Sequence, residues 1–304
     1  MNKNKISVIG GINVELTSNP YGQLVQGAQN PGKLSMKMSG SGRNIAVNLA
    51  RMGVDTSFVT RSGDDFPAKA AIDELAALGA DVSKVIFDAE ENTPAAMQIL
   101  NIVDGLEMAF GNADVLDKID KELLSQAMDT LRDSAIVSVD ANVSGETLDF
   151  LFEELGDVPL FLDPAGAEKA EALHDVIGKF YMIAPNRAEA EKISGLPILS
   201  GEELMTAGQW FSDQGVERVF ITLAGGGVYY NHNGQGVLQQ PGDVNLVDKR
   251  GAGDAFSAAL LYAHTQGLDM DEMAKMAMAA AAIAAESPEM ASDKLSLEAI
   301  RSRM

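Results

Sequence analysis

The segment Gly251-Ala252-Gly253-Asp254-Ala255-Phe256 joins three small residues to a carboxylate at the head of an apolar run, Ala255 to Tyr262. Small residues at a helix start leave its first N–H groups open to an anion, which the positive end of the helix dipole attracts. A carboxylate in the same turn can take a proton from a hydroxyl while those N–H groups hold the phosphoryl group under attack. The chemistry this suits is phosphoryl transfer to an alcohol, with Asp254 as base and Gly251, Ala252 and Gly253 as anion hole. The plainer alternative is a helix start whose Asp complements the dipole.

Other segments carry weaker signals. Gly40-Ser41-Gly42-Arg43-Asn44-Ile45-Ala46 follows a strand-like pattern and opens an amphipathic one, which suits either a ligand approaching bare backbone or an ordinary strand-to-helix turn. It is not a dinucleotide fingerprint, because Ile45 stands at the third glycine position. Gly27 to Lys33 matches the Gly-x4-Gly-Lys of a phosphate loop, but Leu34 replaces the Ser or Thr and a strand-like alternation follows, so a hairpin loop is expected. Asn186-Arg187-Ala188-Glu189 has the spacing of a capping box. Thr222-Leu223-Ala224-Gly225-Gly226-Gly227 suits a nucleotide lying on backbone, or a tight turn. His174, His232 and His264 are scattered and form no metal spacing.

The elements that must position these residues alternate along the chain. Ile6–Ile9, Ser57–Val59, Ala135–Val139, Leu160–Leu162, Tyr181–Ile183 and Val219–Ile221 are short apolar runs, as in strands buried on both faces. Helix patterns lie between them, at Asn44–Met52, Phe66–Leu78 and Gly201–Gln214 among others. That order predicts an α/β fold with a doubly wound, mostly parallel sheet. Leu34–Met38 and Ala95–Phe110 break the rhythm with period-two patterns, the second a hairpin around Asp104-Gly105. Together they predict a small antiparallel β lid, at about 14–38 and 93–112, on a single domain covering 1–304. The lid hairpin carries Met97 and Ile99 on one face and Ala96 and Leu100 on the other. A sheet apolar on both faces needs two covers, so a homodimer through the lid is expected.

Composition narrows the partners. With 23 Lys and Arg against 44 Asp and Glu, the formal net charge is −21, which disfavours nucleic acid and anionic membranes. Cysteine is absent, excluding disulfides, thiolate nucleophiles and Cys-ligated zinc. The N-terminus has no signal-peptide pattern, and the longest apolar stretch, Met276–Ala285, is too short to span a bilayer. A cytoplasmic protein is expected.

In order along the chain, Gly40-Ser41-Gly42-x-Asn44-x-Ala46, Gly53, Gly63 and Asp248-x-x-Gly251-Ala252-Gly253-Asp254 resemble the ribokinase-like sugar kinases, the PfkB family, nearly end to end. The resemblance implies an ATP-dependent kinase of a small sugar or nucleoside, with a β lid over the substrate and Asp254 as base. It implies that Asn186 and Glu189 organise Mg²⁺ and the phosphates, that Thr222, Gly225 and Gly227 line the ATP site, and that Asn13, Glu15, Gly40, Gly42, Arg43 and Asn44 meet the substrate. A loop near Asp248 is implied as a site for K⁺, and Arg250 stands beside the anion hole to add charge at the phosphates.

Within the family, Gly10 to Glu15, Gly42 to Ala50, Gly111 to Leu116, Asn142-Val143-Ser144 and Asp163 to Lys169 resemble pseudouridine kinases. The implied acceptor is the 5′-hydroxyl of pseudouridine, with Lys169, Thr93 and Gln98 as candidates to meet the base. The alternatives are ribose, fructose or an ordinary nucleoside as acceptor, or a catalytically weak nucleoside-binding relative. Three departures stand out. Glu15 replaces the usual Asp that holds sugar hydroxyls, Lys249-Arg250 replaces a small polar pair, and Ala224 replaces a Gly near the nucleotide.

Overall fold

The computed structural model describes residues 4–101, 106–164, 166, 170–232 and 235–304. From β1 (Lys5–Ile9) the chain passes through Gly10-Gly11-Ile12 into β2 (Asn13–Pro20) and β3 (Gly32–Ser39). Then α1 (Ser41–Arg51) returns it to β4 (Asp55–Gly63), followed by α2 (Phe66–Ala77) and β5 (Asp81–Asp88). A second excursion, β6 (Ala95–Asn101) and β7 (Leu106–Asn112), leads to α3 (Lys121–Arg132) and β8 (Ile136–Asp140). Next come α4 (Gly145–Glu154), β9 (Leu160–Asp163), β10 (Met182–Ile183), α5 (Arg187–Ser194), α6 (Gly201–Asp213) and β11 (Arg218–Thr222). The hairpin β12 (Val228–His232) and β13 (Gln235–Gln239) precedes α7 (Ala252–Thr265), α8 (Met270–Ala285) and α9 (Leu297–Arg303).

The main sheet has the order β13-β12-β11-β10-β9-β8-β1-β4-β5. Strands β5 through β11 in that order pair in parallel, and β12 and β13 finish the edge antiparallel. Successive residues of the central strands enter opposite layers, as a sheet covered on both faces requires. Val8, Phe58, Ile136 and Phe220 pack with α1, α2, α7, α8 and α9. Ile9, Val59, Val137 and Val219 pack with α3, α4, α5 and α6. Among the described residues no helix is long and apolar enough to cross a membrane.

The two excursions form the lid, a four-stranded sheet of order β3-β2-β6-β7. Two antiparallel hairpins, β2–β3 and β6–β7, join through a parallel β2–β6 pairing. The turn at Asp104-Gly105 lies outside the described residues. Gly27 to Asn30 lie in the exposed β2–β3 loop, and Gly32-Lys33 open β3, so the phosphate-loop look-alike precedes a strand.

Candidate active site

The chain leaves β1 toward β4 and β5 on one side, while β8 to β11 extend on the other. Open α/β sheets form a crevice outside the carboxyl ends of their strands where the order reverses. Here that reversal lies between β1 and β8, and a cavity of about 570 Å³ opens above it. The lid contributes Asn13, Ser39, Ala96 and Gly111 to its wall from one pleat face, and Ala95 and Asn112, at the ends of β6 and β7, from the other.

Asp254 sits on the wall in the first turn of α7. Gly251 caps that helix with φ 78°, and a Cβ built there would lie 2.0 Å from the Met290 carbonyl oxygen, so only glycine fits the turn. The Ala255 N–H bonds the Gly251 carbonyl, leaving the N–H groups of Gly253 and Asp254 ahead of the helical ladder. Gly253 reaches the wall with open space where a side chain would stand, whereas Gly251 and Ala252 lie behind it.

The Asp254 carboxylate is held from α1: Ser41 Oγ donates to Oδ1 at 2.6 Å and Asn44 Nδ2 to Oδ2 at 2.8 Å. Ser41 Oγ also contacts Asp163 Oδ2, and one hydroxyl hydrogen cannot serve two carboxylates at once. Burial pushes Asp254 up to about 7, reinforced by the Asp163 charge and, more weakly, by Asp140; the Ser41 and Asn44 bonds act in the opposite direction. Burial likewise raises Asp140 to about 6, with Asp163 adding to it, although Asp140 accepts from Asn142 and from the Gly11 N–H.

Asn186 and Glu189 do form the capping box of α5. Glu189 nevertheless lines the cavity, its oxygens accepting from the Asn186 and Gly166 N–H groups at 2.8 and 3.1 Å. Burial first, and then Asp163, raises it to about 7. Carboxylates that resist ionisation in an open cavity suit a hard divalent cation, whose charge would relieve them. Among the described residues no three acidic or His side chains converge to hold a metal by themselves. Glu189 and Asp163 would be the residues to hold a Mg²⁺ ion brought in with water and substrate phosphates. Thr222 lies beside Asn186 through an isolated parallel bridge, and both line the cavity.

Residues expected to touch ligand divide sharply. Asn13, Gly40, Asn186, Glu189, Thr222, Gly253 and Asp254 reach the wall. Gly42 does not; a Cβ there would meet Gly10 Cα at 2.7 Å, so its small size lets α1 pack onto the β1–β2 turn rather than admitting a ligand. Arg43 turns away to an ion pair with Glu74 and a bond to Asn44 Oδ1. Thr93 is buried, with its hydroxyl and N–H on Asp65 and its oxygen 3.3 Å from Ser62 Oγ. Gln98 is exposed on the lid, away from the wall. Gly225 and Gly227 lie in the turn beyond Thr222, where Gly225 adopts φ 93°. Lys169 lies outside the described residues. Glu15, Asp248 and Arg250 form a separate charge cluster beside the turn that opens α7.

The pfkB family carbohydrate kinase pattern matches residues 3–296. The chain belongs to that family. A pseudouridine kinase of Escherichia coli (strain K12) is 28% identical over 283 residues, covering 93% of this chain and 90% of the relative. A ribokinase of Haemophilus influenzae is 27% identical, with 91% of each chain covered. An Arabidopsis thaliana ribokinase solved with ribose and ATP superposes with a TM-score of 0.86 at 21% identity, covering 98% of each chain. As a member of this kinase family the chain is a sugar or nucleoside kinase.

Several wall residues had no role in the sequence reading: Ser41, Asp140 and Asp163, with Asn112 and Asn142. Asn142 and Asp163 end or follow apolar strand runs, a placement where parallel α/β folds gather ligands. That positional signal could have singled them out.

Proposed function

We propose that this kinase transfers the γ-phosphoryl group of ATP, with Mg²⁺, to the 5′-hydroxyl of a nucleoside, pseudouridine being the best candidate. The observation that carries the reading is Asp254. It is a buried carboxylate near pKa 7 on the cavity wall, directly behind open helix N–H groups. A base of that pKa is ionised in an adequate fraction at neutral pH and still attracts the hydroxyl proton. As the acceptor oxygen attacks the γ-phosphorus, its proton passes to Asp254 and ADP departs. The Gly253 and Asp254 N–H groups are then placed to stabilise charge on the transferred phosphoryl oxygens. Mg²⁺, when bound at Glu189 and Asp163, supplies charge neutralisation at the phosphates. Asn186 and Thr222 lie on the side of the cavity that would take the nucleotide, with Gly225 and Gly227 beyond them.

The acceptor belongs at the lid side, with Asn13 and Gly40 at the ribose. Neither Thr93 nor Gln98 is available on the wall for a base. Asn112 and Asn142 take their place in the proposal: each has its amide half used by the chain and half left for a ligand. Asn112 Oδ1 accepts from the Asp114 N–H and Asn142 Nδ2 donates to Asp140. ADP release measured side by side on pseudouridine, ribose, fructose and adenosine tests the assignment. Pseudouridine should exceed ribose in kcat/KM by more than about tenfold, equivalent to about 1.4 kcal/mol of transition-state binding. A better rate on ribose or adenosine would remove pseudouridine and leave the family-level kinase.

A homodimer through the lid belongs to the same proposal. The lid face turned from the cavity carries a cross-strand row, Met36, Leu16, Met97 and Phe110, and next to it Leu34, Ile99 and Met108. Leu34 is 79% exposed, Met36 54% and Phe110 52%, a contiguous apolar surface of the kind that protein interfaces cover. A second copy brings the same surface, and a two-fold contact makes it self-complementary. Dependence on ATP supports a cytoplasmic setting.

A further inference from the structure

Two of the departures from the family pattern, Glu15 and Arg250, face each other across the lid. Arg250 Nε donates to Asp248 Oδ1 at 3.0 Å and its Nη2 to Oδ2 at 2.6 Å, a two-pronged grip. Its Nη1 reaches Glu15 Oε2 at 3.0 Å, and Glu15 Oε1 accepts from Ser39 Oγ at 3.0 Å. Each Glu15 oxygen thus accepts from the chain itself, and Glu15 is not among the residues of the cavity wall, where it was expected to meet sugar hydroxyls. Lys37, on β3, brings Nζ to 3.6 Å from Asp248 Oδ2 and donates to the Pro288 carbonyl.

The family resemblance puts a monovalent cation at Asp248, and the residues here do not fit one. Each carboxylate oxygen already accepts from Arg250, and Lys37 sets an ammonium between that carboxylate and a backbone carbonyl. Two cations and two carboxylates balance, so a further free cation would enter a neutral cluster and gain little attraction. The guanidinium holds the Asp248 carboxyl below its usual range, consistent with a permanent partner. We propose that Lys37 and Arg250 are tethered cations that replace a free monovalent cation at Asp248, holding the loop into Gly251 in place without potassium. The site also ties β2 and β3 of the lid to the segment before α7, so lid and anion hole are positioned together. Both are positioning residues, since neither touches the reacting atoms.

The test compares about 0.1 M KCl with choline chloride at the same ionic strength, so that general screening is equal. Wild-type ADP release and unfolding midpoint should be the same in both salts. Lys37→Met should lower turnover, and KCl or ammonium chloride should restore it where choline does not. Its unfolding midpoint should rise in KCl alone, because a bound ion stabilises the folded state by mass action. The unfolding readout needs no acceptor and stands whatever the acceptor proves to be. A wild-type protein activated or stabilised by potassium over choline would overturn the proposal, as would a folded Lys37→Met indifferent to potassium in both readouts. If Lys37→Met does not fold, Arg250→Gln is read in the same way, and the wild-type comparison retains its power to refute.

Discussion

Replacing Asp254 by Asn should stabilise the fold above neutral pH while it removes the proposed base. Burial, with the Asp163 charge behind it, holds the Asp254 carboxyl near 7 in the folded chain against 3.8 for an ordinary Asp. The folded state therefore binds this proton more tightly than the unfolded state. Relative stability from the group is present below about pH 4 and is withdrawn as pH rises through about 7. At 1.36 kcal/mol for each pKa unit, a rise from 3.8 to about 7 withholds about 4 kcal/mol at pH 8. A carboxamide at this position keeps an oxygen for Asn44 Nδ2 and an NH₂ for Ser41 Oγ, and carries no charge to desolvate. Thermal and urea unfolding at about pH 5.5 and pH 8 should show the variant gaining on wild type as pH rises. A gain of half the full amount would shift the midpoint by several degrees. Glu189 and Asp140, also raised, should leave the variant some residual slope. Variant and wild-type profiles that run parallel across this range would mean that the Asp254 carboxyl is not raised in the folded chain.

Further outcomes follow from the same geometry. Turnover should climb from about pH 6 to pH 8 with an apparent pKa near 7 as Asp254 gives up its proton, and a flat profile there would count against a base in this environment. Gly251→Ala should cost at least about 1–2 kcal/mol from its left-handed backbone alone, and the contact with the Met290 carbonyl should displace the anion-hole turn. Denaturation and steady-state kinetics would report lost stability together with lower kcat, and an unaltered variant would contradict the turn's role. Phe110→Asp, on the outer lid face, should halve the mass seen by light scattering at micromolar concentration, whereas an unchanged mass would argue against the lid dimer.

The main sheet was legible because its central strands are buried on both sides, leaving near-continuous apolar runs such as Ile6–Ile9 and Val219–Ile221. β5 mixes Asp, Lys and Ser among its apolar residues and so lacks that signal, and the hairpin β12–β13 stands at the edge, outside the parallel run. In the site, the small-residue turn before Asp254 has a local pattern that a reader can find. Its supports have none: Ser41 is 213 residues from Asp254 and 122 from Asp163, and only the strand order brings them together. Arg43 illustrates a different limit. It adjoins Asn44, but one residue on a helix is a 100° turn, enough to send one side chain to Asp254 and the other to Glu74. The lid's period-two pattern disclosed two faces; the pairing of Asn13 with Ser39 and of Ala96 with Gly111 marks the one over the cavity, while Ala95 and Asn112 reach the wall from the other at the strand ends.

The most direct test of the central claim is the single-turnover and steady-state ADP release of Asp254→Asn at saturating acceptor, with nucleotide binding measured alongside. With Asp254 as base, kcat should fall by roughly 10²–10⁴-fold, the usual worth of a general base, while ATP affinity changes little. Turnover close to wild type in a folded variant that binds ATP normally would contradict that role.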